Sequence, residues 1–136
     1  MKIKVRVADP AGNITIFVMT ALEKESYPWI ARQILERQEL GGEQVAFVER
    51  TEQGTLRMEM MGGEFCGNAS RSFAYLLCQL SGRERQECLV DVSGSPKPLR
   101  AVADTVKKTS QVDMPLPKET RLLELGPGEI YDMIVF

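Results

Sequence analysis

Cys66 lies within Gly62-Gly63-Glu64-Phe65-Cys66-Gly67-Asn68-Ala69-Ser70-Arg71, a thiol with glycines on both sides. Directly behind it Ala69, Phe73, Leu76, Leu77 and Leu80 recur at helical spacing, which predicts an amphipathic helix opening near Gly67 or Asn68. A cysteine at that opening meets unpaired backbone N–H groups and the positive end of the helix dipole. Both favour negative charge on sulfur. The same N–H groups suit a carboxylate. A reactive sulfur beside an anion cradle points to chemistry on a small acid, an amino acid above all.

The neighbouring polar residues each have a plainer reading. Asn13 follows the turn Pro10-Ala11-Gly12, where asparagine serves local hydrogen bonding. Gln44 opens a strand and by itself reads as surface. Glu64 either caps the helix start or orients the loop, and its charge opposes ionisation of a nearby thiol. Arg71 either offsets that charge or faces solvent. Cys78 and Cys88 read as small buried hydrophobes, and Met58, Met60 and Met61 as core and pocket wall. The three glycines Gly62, Gly63 and Gly67 fit a tight turn, and the missing Cβ atoms also let a ligand approach the backbone.

The elements that must hold these residues follow from patterning. Ile3, Val5 and Val7 alternate with Lys2, Lys4 and Arg6 as a half-buried strand, closed by Asp9-Pro10-Ala11-Gly12-Asn13. A second strand covers Ile14 to Met19. Ser26 as N-cap and Pro28 in the first turn predict a helix running to about Glu39, stopped by Gly41 and Gly42. Val45, Phe47 and Leu56, Met58, Met60 form two strands joined through Glu52-Gln53-Gly54. The second helix ends near Ser81-Gly82. Further strands are expected at Cys88 to Val92, Leu99 to Ala103, Gln111 to Met114, Leu122 to Leu125 and Ile130 to Phe136. Two helices among eight or nine short strands define an α+β fold, a mixed and mostly antiparallel sheet wrapped around the more apolar second helix.

Composition narrows the function classes. The chain has 136 residues, one domain's worth, with 43% hydrophobic and 26% charged residues, as in ordinary globular proteins. A net charge of −2 without a basic stripe argues against nucleic acid as a partner. No apolar run is long enough to span a bilayer, and the N-terminal strand pattern is not a signal peptide. The 3 cysteines have neither disulfide-framework nor zinc-motif spacing, and the absence of histidine removes the commonest metal ligand and general base. A cytoplasmic protein with reduced thiols, no metal and no cofactor is expected.

Gly12-Asn13, then Glu43-Gln44 before a strand, then Glu64-Phe65-Cys66-Gly67-Asn68 opening a helix, together resemble the first half of the diaminopimelate epimerase family. The resemblance extends through Val92-Ser93-Gly94 and Val112-Asp113-Met114-Pro115, so it covers nearly the whole chain. Ala11-Gly12-Asn13-Ile14-Thr15-Ile16, Gly42-Glu43-Gln44-Val45 and Asn68-Ala69 are most similar to its branch of histidine racemases of opine-type metallophore pathways. The family implies cofactor-independent amino-acid racemases and epimerases built of two similar halves with the substrate between them. Each half carries one cysteine at the start of its central helix. One thiolate removes the Cα proton and the opposing thiol returns a proton to the other face.

By the matching motif, Cys66 is the first-half cysteine. The resemblance implies that backbone N–H groups of Gly67 and Asn68 bind the substrate carboxylate, while Asn13 and Gln44 line the pocket. Met60-Met61-Gly62-Gly63 departs from the epimerase pattern of an asparagine and a longer polar loop, so a diaminopimelate-like distal group is not expected to be recognised. A second Gly-rich cysteine motif does not follow. Residues 1–136 therefore read as a single domain equivalent to one half of such an enzyme. Its expected partners are an amino-acid substrate and a C-terminal half-domain or second chain, with a homodimer as one arrangement. The chain by itself is expected not to racemise, because one thiol reaches only one face of a carbanion. Two alternatives stand beside this reading. One is an isomerase of the phenazine-biosynthesis type with a carboxylate base, for which Glu64 is the candidate. The other is a non-catalytic amino-acid-binding or assembly module.

Overall fold

Ile16, Phe17 and Val18 are consecutive and all buried, as are Val45, Ala46, Phe47 and Val48. Strands that are apolar on both faces must be covered on both faces. In the computed structural model, which describes residues 1–135, these are the strands β2 (Thr15–Val18) and β3 (Gln44–Arg50). They pair in parallel, and α1 (Tyr27–Leu35) is the crossover between them. A second parallel pair, β4 (Leu56–Met60) with β5 (Arg85–Val92), is connected by α2 (Gly67–Ser81). Parallel neighbours require such long crossovers, whereas antiparallel ones need only turns. β1 (Val5–Ala8), β6 (Leu99–Asp104) and β7 (Thr109–Val112) add antiparallel pairs at the two ends, giving one seven-stranded sheet in the order β1 to β7. β8 (Glu119–Gly126) and β9 (Glu129–Val135) form a separate antiparallel hairpin.

The alternation of side chains along β2 and β3 divides the interior into two apolar clusters. Ile16, Val18, Val45 and Phe47 pack with Tyr27, Ile30, Ala31 and Ile34 of α1. Phe17, Ala46 and Val48 face the opposite way, onto Ala69, Phe73, Ala74 and Leu76 of α2, joined by Met58, Met60, Val90, Val92 and Ala101. The sheet curls around α2, an α+β fold with mixed but mostly antiparallel pairing. Within the first cluster, Tyr27 stacks on Phe47 at 3.7 Å and donates a hydrogen bond to Glu49 (2.8 Å). Burial, with the Glu49 carboxylate adding to it, pushes the Tyr27 phenol well above its ordinary value.

Several boundaries differ from the sequence expectation. The first helix ends at Leu35, and Gln38–Leu40 forms a separate 3₁₀ turn before Gly41 in the left-handed region. The Ser26 hydroxyl does not cap the helix: it donates to the Glu23 carbonyl (2.6 Å). β7 begins at Thr109 and stops at Val112, so Asp113 and Met114 lie beyond it. Val7 and Leu80 are half-exposed because β1 is an edge strand and the last turn of α2 leaves the core. The expected strand end at Phe136 lies outside the described residues. Among the described residues, no helix is long and apolar enough to cross a membrane.

Candidate functional site

The pairing brings one rim of the sheet together. Because β2 and β3 are parallel, their first residues, Thr15 and Gln44, are register partners. β3 and β4 are antiparallel, so the end of β4 lies beside the start of β3, and Met61 N donates to Val45 O (3.0 Å). β5 runs with β4 and ends at the same rim with Ser93 and Gly94. The Cys66 loop, which links β4 to α2, therefore sits over the starts of β2 and β3.

Cys66 is the N-cap residue of α2, with extended backbone angles, and its sulfur accepts a hydrogen bond from Ala69 N–H at 3.4 Å. Serine, threonine, aspartate and asparagine are the usual caps; here sulfur fills that role. The thiol in turn donates to Gln44 Oε1 (3.3 Å), and Gln44 Nε2 donates to the hydroxyl of the fully buried Thr15 (2.7 Å). Cys66 is half-buried, neither walled into the core nor on the outer surface.

The glycine-rich loop is tied down by the end of β5. Ser93 Oγ accepts from Met60 N–H and donates to Glu64 O, both at 2.8 Å. Gly94 has φ +74°, and a Cβ there would come within 2.3 Å of the Phe65 nitrogen, so only glycine lets the strand end lie against this loop. Glu64 turns its carboxylate onto Gly62 N–H (2.9 Å), away from hydrogen bonding with the thiol. Arg71 donates to Asn68 Oδ1 (3.1 Å) and to Pro10 O (2.9 Å), fastening the β1–β2 loop to the helix start. Asn13 rides on that loop, next to Ile14, whose carbonyl accepts from Glu43 N–H (2.9 Å) and Gln44 N–H (3.3 Å).

The structure thus brings Cys66, Gln44, Gly67 and Asn68 to one place, with the Asn13 loop tied to it through Arg71 and Ile14. Thr15, Ser93 and Arg71 were not singled out as site residues from the sequence. Met114 belongs with them, since a Cβ on Gly67 would lie 3.2 Å from its sulfur. A threonine opening an apolar strand beside a glutamine would have been the signal for Thr15, but only the parallel register makes the two neighbours.

Two grooves flank this rim. One, about 430 Å³, runs between β1, α2 and β7 and is lined by Arg6, Asp9, Arg71, Tyr75 and Lys108 among others. The other, about 610 Å³, lies beside α1 and is lined by Arg32, Met61 and Glu64 among others. Cys66 is among the lining residues of neither groove.

Comparison with known proteins matches residues 2–134 to the model of the histidine racemase CntK N-terminal domain. A histidine racemase of Fusobacterium nucleatum subsp. nucleatum is 44% identical over an alignment of 80 residues that covers 54% of this chain and 28% of that protein. A histidine racemase of Staphylococcus aureus (strain Mu50) is 35% identical over 89 residues, 63% of this chain and 33% of that protein. The matched stretches span a third or less of these relatives' own length. With nearly all of its length matched by that model, the chain belongs to the family of histidine racemase N-terminal domains.

Proposed function

We propose that this chain supplies one half of a cofactor-independent amino-acid racemase, with histidine as the substrate that the relatives' names point to. Cys66 is one member of a thiol pair that moves the Cα proton. The observation that carries this reading is a thiol serving as the helix cap, hydrogen-bonded both to a backbone N–H and to a side-chain acceptor. The first hydrogen bond suits the thiolate and the second the thiol, as an acid–base that cycles between both requires. The free N–H groups of the first turn, Gly67 and Asn68, receive the substrate carboxylate. Asn13 and Gln44 line the remaining wall.

In one direction the Cys66 thiolate takes the proton from Cα, leaving the bonding pair on carbon as a carbanion. A second group returns a proton to the opposite face. That group belongs to a second half, in the same polypeptide or in another chain. The partial coverage of the relatives supports this division, since the matched stretches span a third or less of their length. The placement of Glu64 on Gly62 N–H weighs against the carboxylate-base isomerase reading.

The test is Cα deuterium exchange on L-histidine by the longer protein. Cys66→Ser is expected to slow exchange and D-histidine formation about 100-fold or more, the range of a lost acid–base group. Exchange at the wild-type rate would dismiss the thiol.

A further inference from the structure

We infer that Thr15 is a positioning residue for Cys66, acting through Gln44. An amide side chain has two faces, a donor and an acceptor, and presents either one to a neighbour. Here the donor is committed. Gln44 Nε2 donates to Thr15 Oγ1 at 2.7 Å, and Thr15 is completely buried at the first residue of β2, so its hydroxyl has no freedom to leave. With the NH2 group held there, Oε1 is the atom that meets Cys66 Sγ at 3.3 Å, and it accepts the S–H. The parallel register that makes Thr15 and Gln44 partners makes this chain of contacts a property of the fold, not of a flexible surface side chain.

No charged group competes for the thiol through these hydrogen bonds. Glu64 is bound to Gly62 N–H, and Arg71 to Asn68 and Pro10. The Thr15–Gln44 pair therefore fixes where the S–H points, while Ala69 N–H faces the same sulfur at 3.4 Å.

The mechanistic consequence rests on the racemase reading. When Cys66 acts as the acid, the oriented S–H breaks as the new Cα–H forms with the carbanion's electron pair, and the S–H pair stays on sulfur. In that direction the group on the other half is the base.

The experiment needs no substrate and uses this chain. The infrared S–H stretch of Cys66 is identified by its loss in Cys66→Ser. In Thr15→Val, which keeps the side-chain shape and removes the hydroxyl, the band is expected to move to the higher wavenumber of a free thiol. Alkylation of Cys66 by iodoacetamide at neutral pH is expected to quicken about two- to tenfold, the worth of one lost hydrogen bond. Thr15→Ser is expected to restore both. An unmoved band in folded Thr15→Val overturns the proposal. If that variant does not fold, Gln44→Leu decides instead: a shifted band supports the relay and an unmoved one overturns it. Neither result touches the exchange test with Cys66→Ser, so the relay and the racemase reading fail separately.

Discussion

Phe73 and Phe17, 6.2 Å apart between ring centres, are sealed inside the seven-stranded body, while Leu122, Leu125 and Ile130 of the β8–β9 hairpin are 70%, 67% and 62% exposed. Both regions are strand-rich and both carry large apolar residues. The body has two helices to cover its sheet; the hairpin has only its own two strands, which pair with each other and not with the sheet. Two-stranded sheets are marginal without a face to pack on, and this hairpin leaves its large apolar residues exposed. The contrast separates what this chain stabilises internally from what it offers outward.

The contrast can be broken or sharpened by mutation. The largest effect is expected for Phe73→Ala, which removes a fully buried ring from the helix that the sheet wraps. A loss of about 3–5 kcal/mol in denaturant unfolding is the ordinary cost of such a cavity. A loss below about 1 kcal/mol would mean that the body is packed no better than the hairpin.

A smaller effect concerns pH. Burial, with the neighbouring Cys78 thiol adding to it, pushes the Cys88 thiol up in the folded state. Between its unfolded value, about 8.5, and the raised folded one, the unfolded chain gives up the proton and the folded chain keeps it. Stability from this group is therefore present below about pH 8.5 and is lost as pH rises further. Thermal unfolding followed from pH 7 to pH 10 is expected to show a decline in Tm that Cys88→Ala partly removes. An identical slope in the variant would contradict that origin.

The smallest effect is expected in the hairpin, where Leu122→Gln should change the unfolding free energy of this chain by no more than about 0.5 kcal/mol, as for surface substitutions elsewhere. A cost near that of Phe73→Ala would show that the hairpin belongs to the body after all.

The same contrast governs what could be read in advance. The α2 start was legible at Cys66-Gly67-Asn68 because helical periodicity and glycine punctuation agree there, and the structure places the cap on Cys66. The strands were legible in number and order, and the β3–β4 hairpin through Glu52-Gln53-Gly54. The end of α1 was not legible, since Arg37, Gln38 and Glu39 are acceptable in a helix and only the tertiary arrangement diverts them into a 3₁₀ turn. The parallel pairing of β2 with β3 was equally hidden: alternation identifies a strand but not its neighbour. Thr15 and Ser93 went unnoticed, and Arg71 was weighed only against Glu64 or solvent, for that reason: each acts on a residue at least 29 positions away, at Gln44, Glu64 and Pro10. Gln44 was placed in the pocket wall by the family resemblance, and its contact with Thr15 follows from the register.

On the function proposed above, the cap of α2 is also the atom an electrophile attacks. Once the sulfur is alkylated or oxidised, the first turn of the innermost helix loses its fastening. Chemical blockade of this rim and loosening of the interior beneath it are thus one event, and a covalent inhibitor would register in the melting of the protein as well as in the silence of its chemistry.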